Sequence, residues 1–238
     1  MKTLIVTPTY NESKNIESLI TSLNKLDPDY HILVVDDNSP DGTAKIVTQL
    51  QKEYKNLNLA NRPGKQGLGT AYCYGFKWAL ERDYDYIVQI DADLSHNPKD
   101  VPKMVELLSK YDLVIGSRYC DGISVVRWPL RRLILSYFAN SYSRFVTGVK
   151  LKDLTAGFKA WRREVLENIN LDNIRSQGYA FQIEMNFHSE RKGYKIFEHP
   201  ILFIDRTIGE SKMSRSIMIE TAWMVWQFRL WKILGWYK

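Results

Sequence analysis

A chain of 238 residues with 45% apolar and 25% charged side chains has material for a packed core, which excludes a disordered or low-complexity protein. Its net charge of +6 is unevenly placed, because residues 118–163 hold ten Lys or Arg against two Asp, and that excess of +8 expects an anionic partner such as a nucleotide, nucleic acid, lipid phosphate or anionic membrane surface. Two cysteines without paired or metal-ligand spacing exclude a disulfide scaffold, and no apolar run reaches the roughly 18–20 residues that span a bilayer.

From Met1 the chain runs straight into an apolar strand, with no basic region, apolar stretch and cleavage site of a secretory signal, so a cytoplasmic protein is expected. Residues 4–7 read as the first strand, and 11–26 as a helix with Ile16, Leu19, Ile20 and Leu23 at helical spacing. A second strand at 31–35 leads through the turn residues 38–42 to a helix reaching about residue 54. A short strand at 57–60, the Gly-containing segment 62–69 and a helix over 70–82 follow, then buried strands at 86–90 and 113–115. This alternation of Ile- and Val-rich runs with helices marks an α/β class with a mostly parallel sheet.

Beyond Trp128 the alternation weakens. The pattern predicts an amphipathic helix over 130–146, a strand over 154–160, a helix over 182–192, a strand-like stretch over 195–204 and a Trp-rich helix over 214–234. Without a linker or an internal repeat, the expected organisation is one catalytic domain over 1–212, containing an acceptor- or membrane-facing helix at 129–147, and a C-terminal amphipathic helix at 213–238.

Asp91-Ala92-Asp93 follows an apolar strand, which places two carboxylates at the carboxyl edge of the sheet, where ligands of open α/β folds bind. Paired carboxylates suit Mg2+ or Mn2+, whose remaining ligands would be waters and substrate phosphates, as a departing diphosphate requires. Acids and an aromatic gather at the same edge in Pro8-Thr9-Tyr10-Asn11-Glu12 and Asp36-Asp37-Asn38-Ser39-Pro40-Asp41. Asn11 and Asp41 also suit helix capping, but capping does not require the doubled acid Asp36-Asp37. The four histidines, His31, His96, His188 and His199, lack ligand spacing, and only His96, near the aspartates, suggests an orienting role.

Five ordered motifs carry a resemblance: Pro8 to Glu12, Val35 to Thr43, Asp91 to Pro98, Gly116-Ser117-Arg118-Tyr119, and Asp205 to Lys212. In these the chain resembles the family-two inverting glycosyltransferases of GT-A fold, and within them the polyprenol-phosphate and dolichol-phosphate mannose synthases. The resemblance implies that Pro8, Tyr10, Glu12, Val35 and Asp37 hold the nucleoside end of GDP-mannose, that Asp91, Ala92 and Asp93 bind the metal and diphosphate, and that Arg118, Arg206 and Lys212 contact phosphates. Some family members place a glutamine two residues after the second aspartate, where this chain has Ser95, so a water is expected in place of that ligand.

A phosphate acceptor carries its own nucleophilic oxygen near neutral pH, with a second pKa of about 6. The protein's task is then to hold two anions together, and cationic side chains do that. Arg132 and Ser136, four apart on the predicted helix, are expected to join Arg118 at the lipid phosphate. Membrane-surface attraction is the other reading of Arg131 and Arg132. Trp223, Trp226, Trp231 and Trp236, with Arg229 and Lys232 among them, suit a helix lying in the membrane interface, a core helix or an oligomer interface. A peripheral enzyme at the cytoplasmic membrane face is expected, borrowing an anchor from a small membrane subunit if it needs one. Two rival functions stand beside it: a UDP-sugar-dependent glucosyl- or N-acetylhexosaminyltransferase of the same fold, and a non-catalytic membrane- or RNA-binding module. The basic stretch lacks the interleaved aromatics of single-strand binders, so no nucleic-acid partner is expected.

Overall fold

The computed structural model describes residues 1–174, 176–205 and 215–235, without the side chains of 215–220 and 232. A seven-stranded sheet runs in the order β3-β2-β1-β4-β7-β5-β8, formed by β1 (Thr3–Thr9), β2 (His31–Asp36), β3 (Leu57–Asn61), β4 (Tyr86–Gln89), β5 (Leu113–Ser117), β7 (Lys159–Arg162) and β8 (Ile196–Pro200). β7 alone pairs antiparallel, with β4 on one side and β5 on the other. A separate two-stranded ribbon joins β6 (Val125–Val126) to β9 (Phe203–Ile204).

Both faces of the sheet are covered, so consecutive strand residues point into different cores. Leu4, Val6, Leu33 and Val35 face one side, under α3 (Leu68–Leu80), α6 (Arg163–Glu167) and α7 (Gly178–Arg191). Ile5, Ile32 and Val34 face the other, under α1 (Ile16–Leu26), α2 (Thr43–Leu50) and α4 (Val101–Leu107). Because β1, β2 and β4 are parallel, their carboxyl ends form one rim, and the chain leaves β1 for β2 on one side and β4 on the other. A crevice opens at such a reversal of strand order.

Several boundaries differ from the sequence expectations, each for a physical reason. Helix α1 starts at Ile16 instead of residue 11, because Asn11 takes a left-handed conformation (φ 61°) and Glu12 O accepts the N–H groups of Asn15 and Ile16. Asn11 therefore caps no helix. The strand expected at 154–160 forms only at Lys159, because Asp153 and Thr155 are drawn off to Arg118. Helix α7 begins at Gly178, four residues early, and is buried on nearly every side, so it lacks the periodicity that reveals helices. Helix α4 follows a short 3-10 turn, Pro98–Asp100, whose Lys99 N–H donates to Asn97 Oδ1.

Helix α5 (Leu130–Thr147) is inverted: it buries Asn140, Ser143, Val146 and Thr147 while exposing Leu130, Ile134, Leu135, Tyr137, Phe138 and Phe145, the last 85% exposed. Its inner polar groups are satisfied locally, since Asn140 Nδ2 donates to Ser136 O and its Oδ1 accepts from Leu154 N–H. Helix α8 (Arg215–Leu234) packs on α5 and α7, buries Val225 and Phe228, and stacks Phe228 on Phe187 at 5.7 Å. Its outer face carries Trp223 and Trp226, 68% and 49% exposed. Among the described residues no helix is long and apolar enough to cross a membrane.

Candidate active site

A cavity of about 380 Å³ occupies the crevice. Pro8, Tyr10 and Glu12 from the end of β1, Asp37 after β2, and Asp91, Ala92 and Asp93 after β4 all line it, so the parallel strands deliver three motifs to one place. Arg118 after β5 and Arg132 at the start of α5 close its far side.

Each aspartate of the 91–93 pair is held by a neighbour. The fully buried Tyr72 donates its hydroxyl to Asp91 Oδ1 at 2.7 Å, and Ser95 donates Oγ–H at 2.6 Å and N–H at 3.1 Å to Asp93 Oδ1. Burial, reinforced by the Asp91 charge, raises the Tyr72 phenol well above its ordinary value and keeps it a donor. Leu94, between the aspartate and the serine, sits at φ 59°, a left-handed conformation costing a leucine roughly 1–2 kcal/mol. Ser95 thus orients the second carboxylate.

The two carboxylates fit Mg2+ or Mn2+. Such ions accept one or two carboxylates and complete their shell with waters and substrate phosphates. Among the described residues no group of three or more His, Cys, Asp or Glu could hold a metal.

On the basic side, Arg118 is committed twice to Asp153: Nε lies 2.7 Å from Oδ2 and Nη2 lies 2.7 Å from Oδ1, with Nη2 also donating to Thr155. Burial pushes the Asp153 carboxyl up, but the charge and hydrogen bonds of Arg118 outweigh it and hold it below its ordinary value. Arg132 pairs with Asp205 at 2.6 Å and lies 4.3 Å from the centre of the Trp128 ring. Ser136 accepts from the Tyr119 hydroxyl at 2.8 Å and lines a second, mostly apolar groove of about 300 Å³. That groove runs between α5, α7 and α8, and it shares Trp128, Arg132, Thr155 and Tyr179 with the first cavity.

At the other end, Asp37 lies 2.8 Å from Arg62 in a buried ion pair, and the Lys65 ammonium sits 4.8 Å from the centre of the Tyr10 ring. Val35, expected at the nucleoside end, is instead packed in the core and does not line the cavity; as the alternate residue of a strand buried on both faces, it points beneath α3. Arg206 and Lys212, like Trp236, lie outside the described residues. His96 is buried between Phe158 and Phe203, 5.3 and 5.4 Å away, and burial keeps its imidazole below its ordinary pKa.

Several residues of the site carry no sequence motif: Gly157 before β7 and Gln177, Tyr179 and Gln182 at the start of α7 line the cavity, and Tyr72 on α3 stands behind Asp91. A Cβ added at Gly157 would lie 3.2 Å from Asp91 Oδ2, close enough that the carboxylate would have to shift by a few tenths of an ångström. The one local signal was the dense aromatic and amide run Gln177 to Gln182.

The family described as Glycosyl transferase family 2 matches residues 4–169. The chain is 44% identical to the polyprenol monophosphomannose synthase of Mycolicibacterium smegmatis over 94% of its own length and 85% of that protein's. It is 43% identical to the undecaprenyl-phosphate mannosyltransferase of Micrococcus luteus, over 93% and 91%. Among solved structures, glucosyl-3-phosphoglycerate synthase from Mycobacterium tuberculosis with Mn2+, UDP and glucosyl-3-phosphoglycerate shares the fold at a TM-score of 0.64 and 20% identity, over 98% of this chain and 80% of that one. A mannosyltransferase from Pyrobaculum calidifontis, solved with GDP-Man and Mn2+, shares it at 0.58 and 16%, over 96% and 73%. The expected GT-A architecture is therefore the one observed, the non-catalytic reading falls away, and the chain belongs to glycosyl transferase family 2.

Proposed function

We propose that the chain transfers mannose from GDP-mannose to a polyprenyl phosphate with inversion, giving polyprenyl-phosphate mannose and GDP. One observation carries the reading: the polar cavity at Asp91 and Asp93 adjoins an apolar groove, and Arg132 belongs to both. A nucleotide sugar suits the first, an isoprenoid chain the second, and the acceptor's phosphate falls at their junction. The names of the two relatives support mannose and polyprenyl phosphate as the substrates.

In this mechanism Tyr10, Glu12 and Asp37 receive the nucleoside, while Asp91 and Asp93 would hold a divalent cation. When bound, that ion supplies positive charge against the departing diphosphate. Arg118 and Arg132 draw the lipid phosphate to the sugar and offset the repulsion between two anions. A phosphate oxygen of the lipid forms the new bond to the anomeric carbon as the bond to the GDP oxygen breaks, from opposite sides. The nucleophile arrives ionised, so no side chain need remove a proton. Arg118 is fixed by Asp153, and such fixed charges need no reorganisation during reaction.

The exposed apolar face of α5 and the outer tryptophans of α8 seat the protein peripherally on the cytoplasmic membrane face, near the lipid head group, and a small membrane-anchoring subunit is a compatible partner. The test supplies purified protein and magnesium with labelled GDP-mannose or UDP-glucose, and with polyprenyl phosphate or the phosphate-free alcohol. Label should reach lipid only from GDP-mannose and only onto the phosphate. Transfer from UDP-glucose would establish the rival donor, and transfer to the alcohol would contradict the acceptor chemistry.

A further inference from the structure

Below the aspartates, three side chains form a relay whose hydrogen-bond directions are fixed. An indole N–H can only donate, and Trp161 Nε1 donates to Gln89 Oε1 at 3.2 Å. That orients the Gln89 amide, whose Nε2 donates to Gly157 O at 2.8 Å and to Gln182 Oε1 at 3.0 Å. With its carbonyl engaged, Gln182, which lines the cavity, is left with its own Nε2. That group has no hydrogen-bond partner, although the residue is only 2% exposed. Burying an amide donor without a partner destabilises a fold, so such a donor on a residue of the cavity wall is a candidate ligand contact.

The position of this donor indicates what it meets. A Cβ added at Gly157 would lie 3.2 Å from Asp91 Oδ2 and 3.8 Å from Gln182 Nε2, so both groups flank one side-chain-free spot on the cavity wall. A carboxylate accepts and an amide NH2 donates. A hydroxyl does both, and satisfies the two at once. An anionic phosphate oxygen at that spot would be repelled by Asp91.

We propose that Gln182 is a specificity-determining residue that reads the transferred hexose, its Nε2 donating to a ring hydroxyl of the donor sugar beside Asp91. The inference rests on the nucleotide-sugar reading given above. It explains why the relay ends at the cavity.

The test uses the full chain and titrates GDP, GDP-mannose and GDP-mannose analogues that each lack one ring hydroxyl. Wild type should bind one analogue roughly tenfold more weakly than GDP-mannose, because a site built to bond a hydroxyl rejects the ligand lacking it. Gln182→Met should bind that analogue and GDP-mannose alike, with GDP affinity within about twofold of wild type, since GDP carries no sugar. Gln182→Leu likewise offers the hydroxyl neither donor nor acceptor, so it should lose the same preference if the Met variant folds poorly. Equal binding of every analogue by wild type, or an unchanged preference in a folded variant, would overturn the proposal. A chain that keeps this Gln182-dependent preference but transfers nothing to polyprenyl phosphate would refute the acceptor reading and leave Gln182 as the sugar reader.

Discussion

Arg118 and Asp153 bind each other through two parallel hydrogen bonds of 2.7 Å, with both side chains buried and Arg118 lining the cavity. The fork geometry fixes the guanidinium plane where the acceptor phosphate is proposed to arrive. Removing one partner leaves an uncompensated buried charge, so Asp153→Asn should lose about 3–5 kcal/mol of stability in urea denaturation. The Asp153 pKa is depressed in the folded protein, so its contribution is complete above the ordinary 3.8 and fades as pH falls through the folded value. The Asn variant should lack that acid limb; equal stability of the two proteins would show that the pair does not hold this wall.

Tyr72 acts on Asp91 from behind. Tyr72→Phe keeps the ring stacked on Phe181 and removes only the hydroxyl, so the fold should persist while transfer falls on the order of 10–100-fold. Loss of the group orienting the carboxylate proposed to hold the metal should also raise the concentration of Mg2+ or Mn2+ needed for half-maximal rate. Unchanged metal dependence would place Asp91 outside the metal's reach.

Lys159 is fully buried, with its Nζ donating to Gln182 O at 3.1 Å, and burial holds it well below its ordinary 10.5. The unfolded chain therefore binds the extra proton, and wild-type stability should gain from this residue as pH rises from its folded pKa toward 10.5. The slope can reach about 1.4 kcal/mol per pH unit. Lys159→Met should remove that rise, read as the difference between the two proteins' urea midpoints across the range. Parallel curves would mean that the ammonium stays charged in the fold.

Membrane seating is testable without truncation. Deleting α8 would strip Val225 and Phe228 from the core, so exposed side chains are the informative targets. Phe138→Ser with Phe145→Ser, or Trp223→Ser with Trp226→Ser, should reduce sedimentation with anionic vesicles by roughly tenfold. Transfer to a detergent-dispersed short-chain acceptor should persist in the α8 pair. Undiminished sedimentation of both pairs would assign these faces to another contact.

Much of this was legible because the information is local. Strands β1, β2 and β4 announced themselves as apolar runs, and parallel pairing then brought Tyr10, Asp37, Asp91 and Asp93 to one rim. The groups that orient those residues were not legible. Tyr72 meets Asp91 across 19 residues and Gln89 meets Gln182 across 93, contacts that only the packing of α3 and α7 on the sheet creates. The apolar stripe of α5 was visible too, but a stripe does not say which way it faces, and here polar Asn140, Ser143 and Thr147 turn inward. Val35 shows the reverse case: its place within a motif suggested the nucleoside, while strand alternation packs its side chain in the core.

Kinetics of Arg132→Gln address most directly the claim that donor cavity and lipid groove meet at one arginine. The variant should raise KM for a short polyprenyl phosphate by roughly tenfold, since it loses one charge-assisted contact to the acceptor. Its calorimetric affinity for GDP should stay within about twofold of wild type, because the nucleoside is proposed to bind at the opposite end of the cavity. Equal losses in GDP binding and lipid turnover, or no loss in either, would contradict the account.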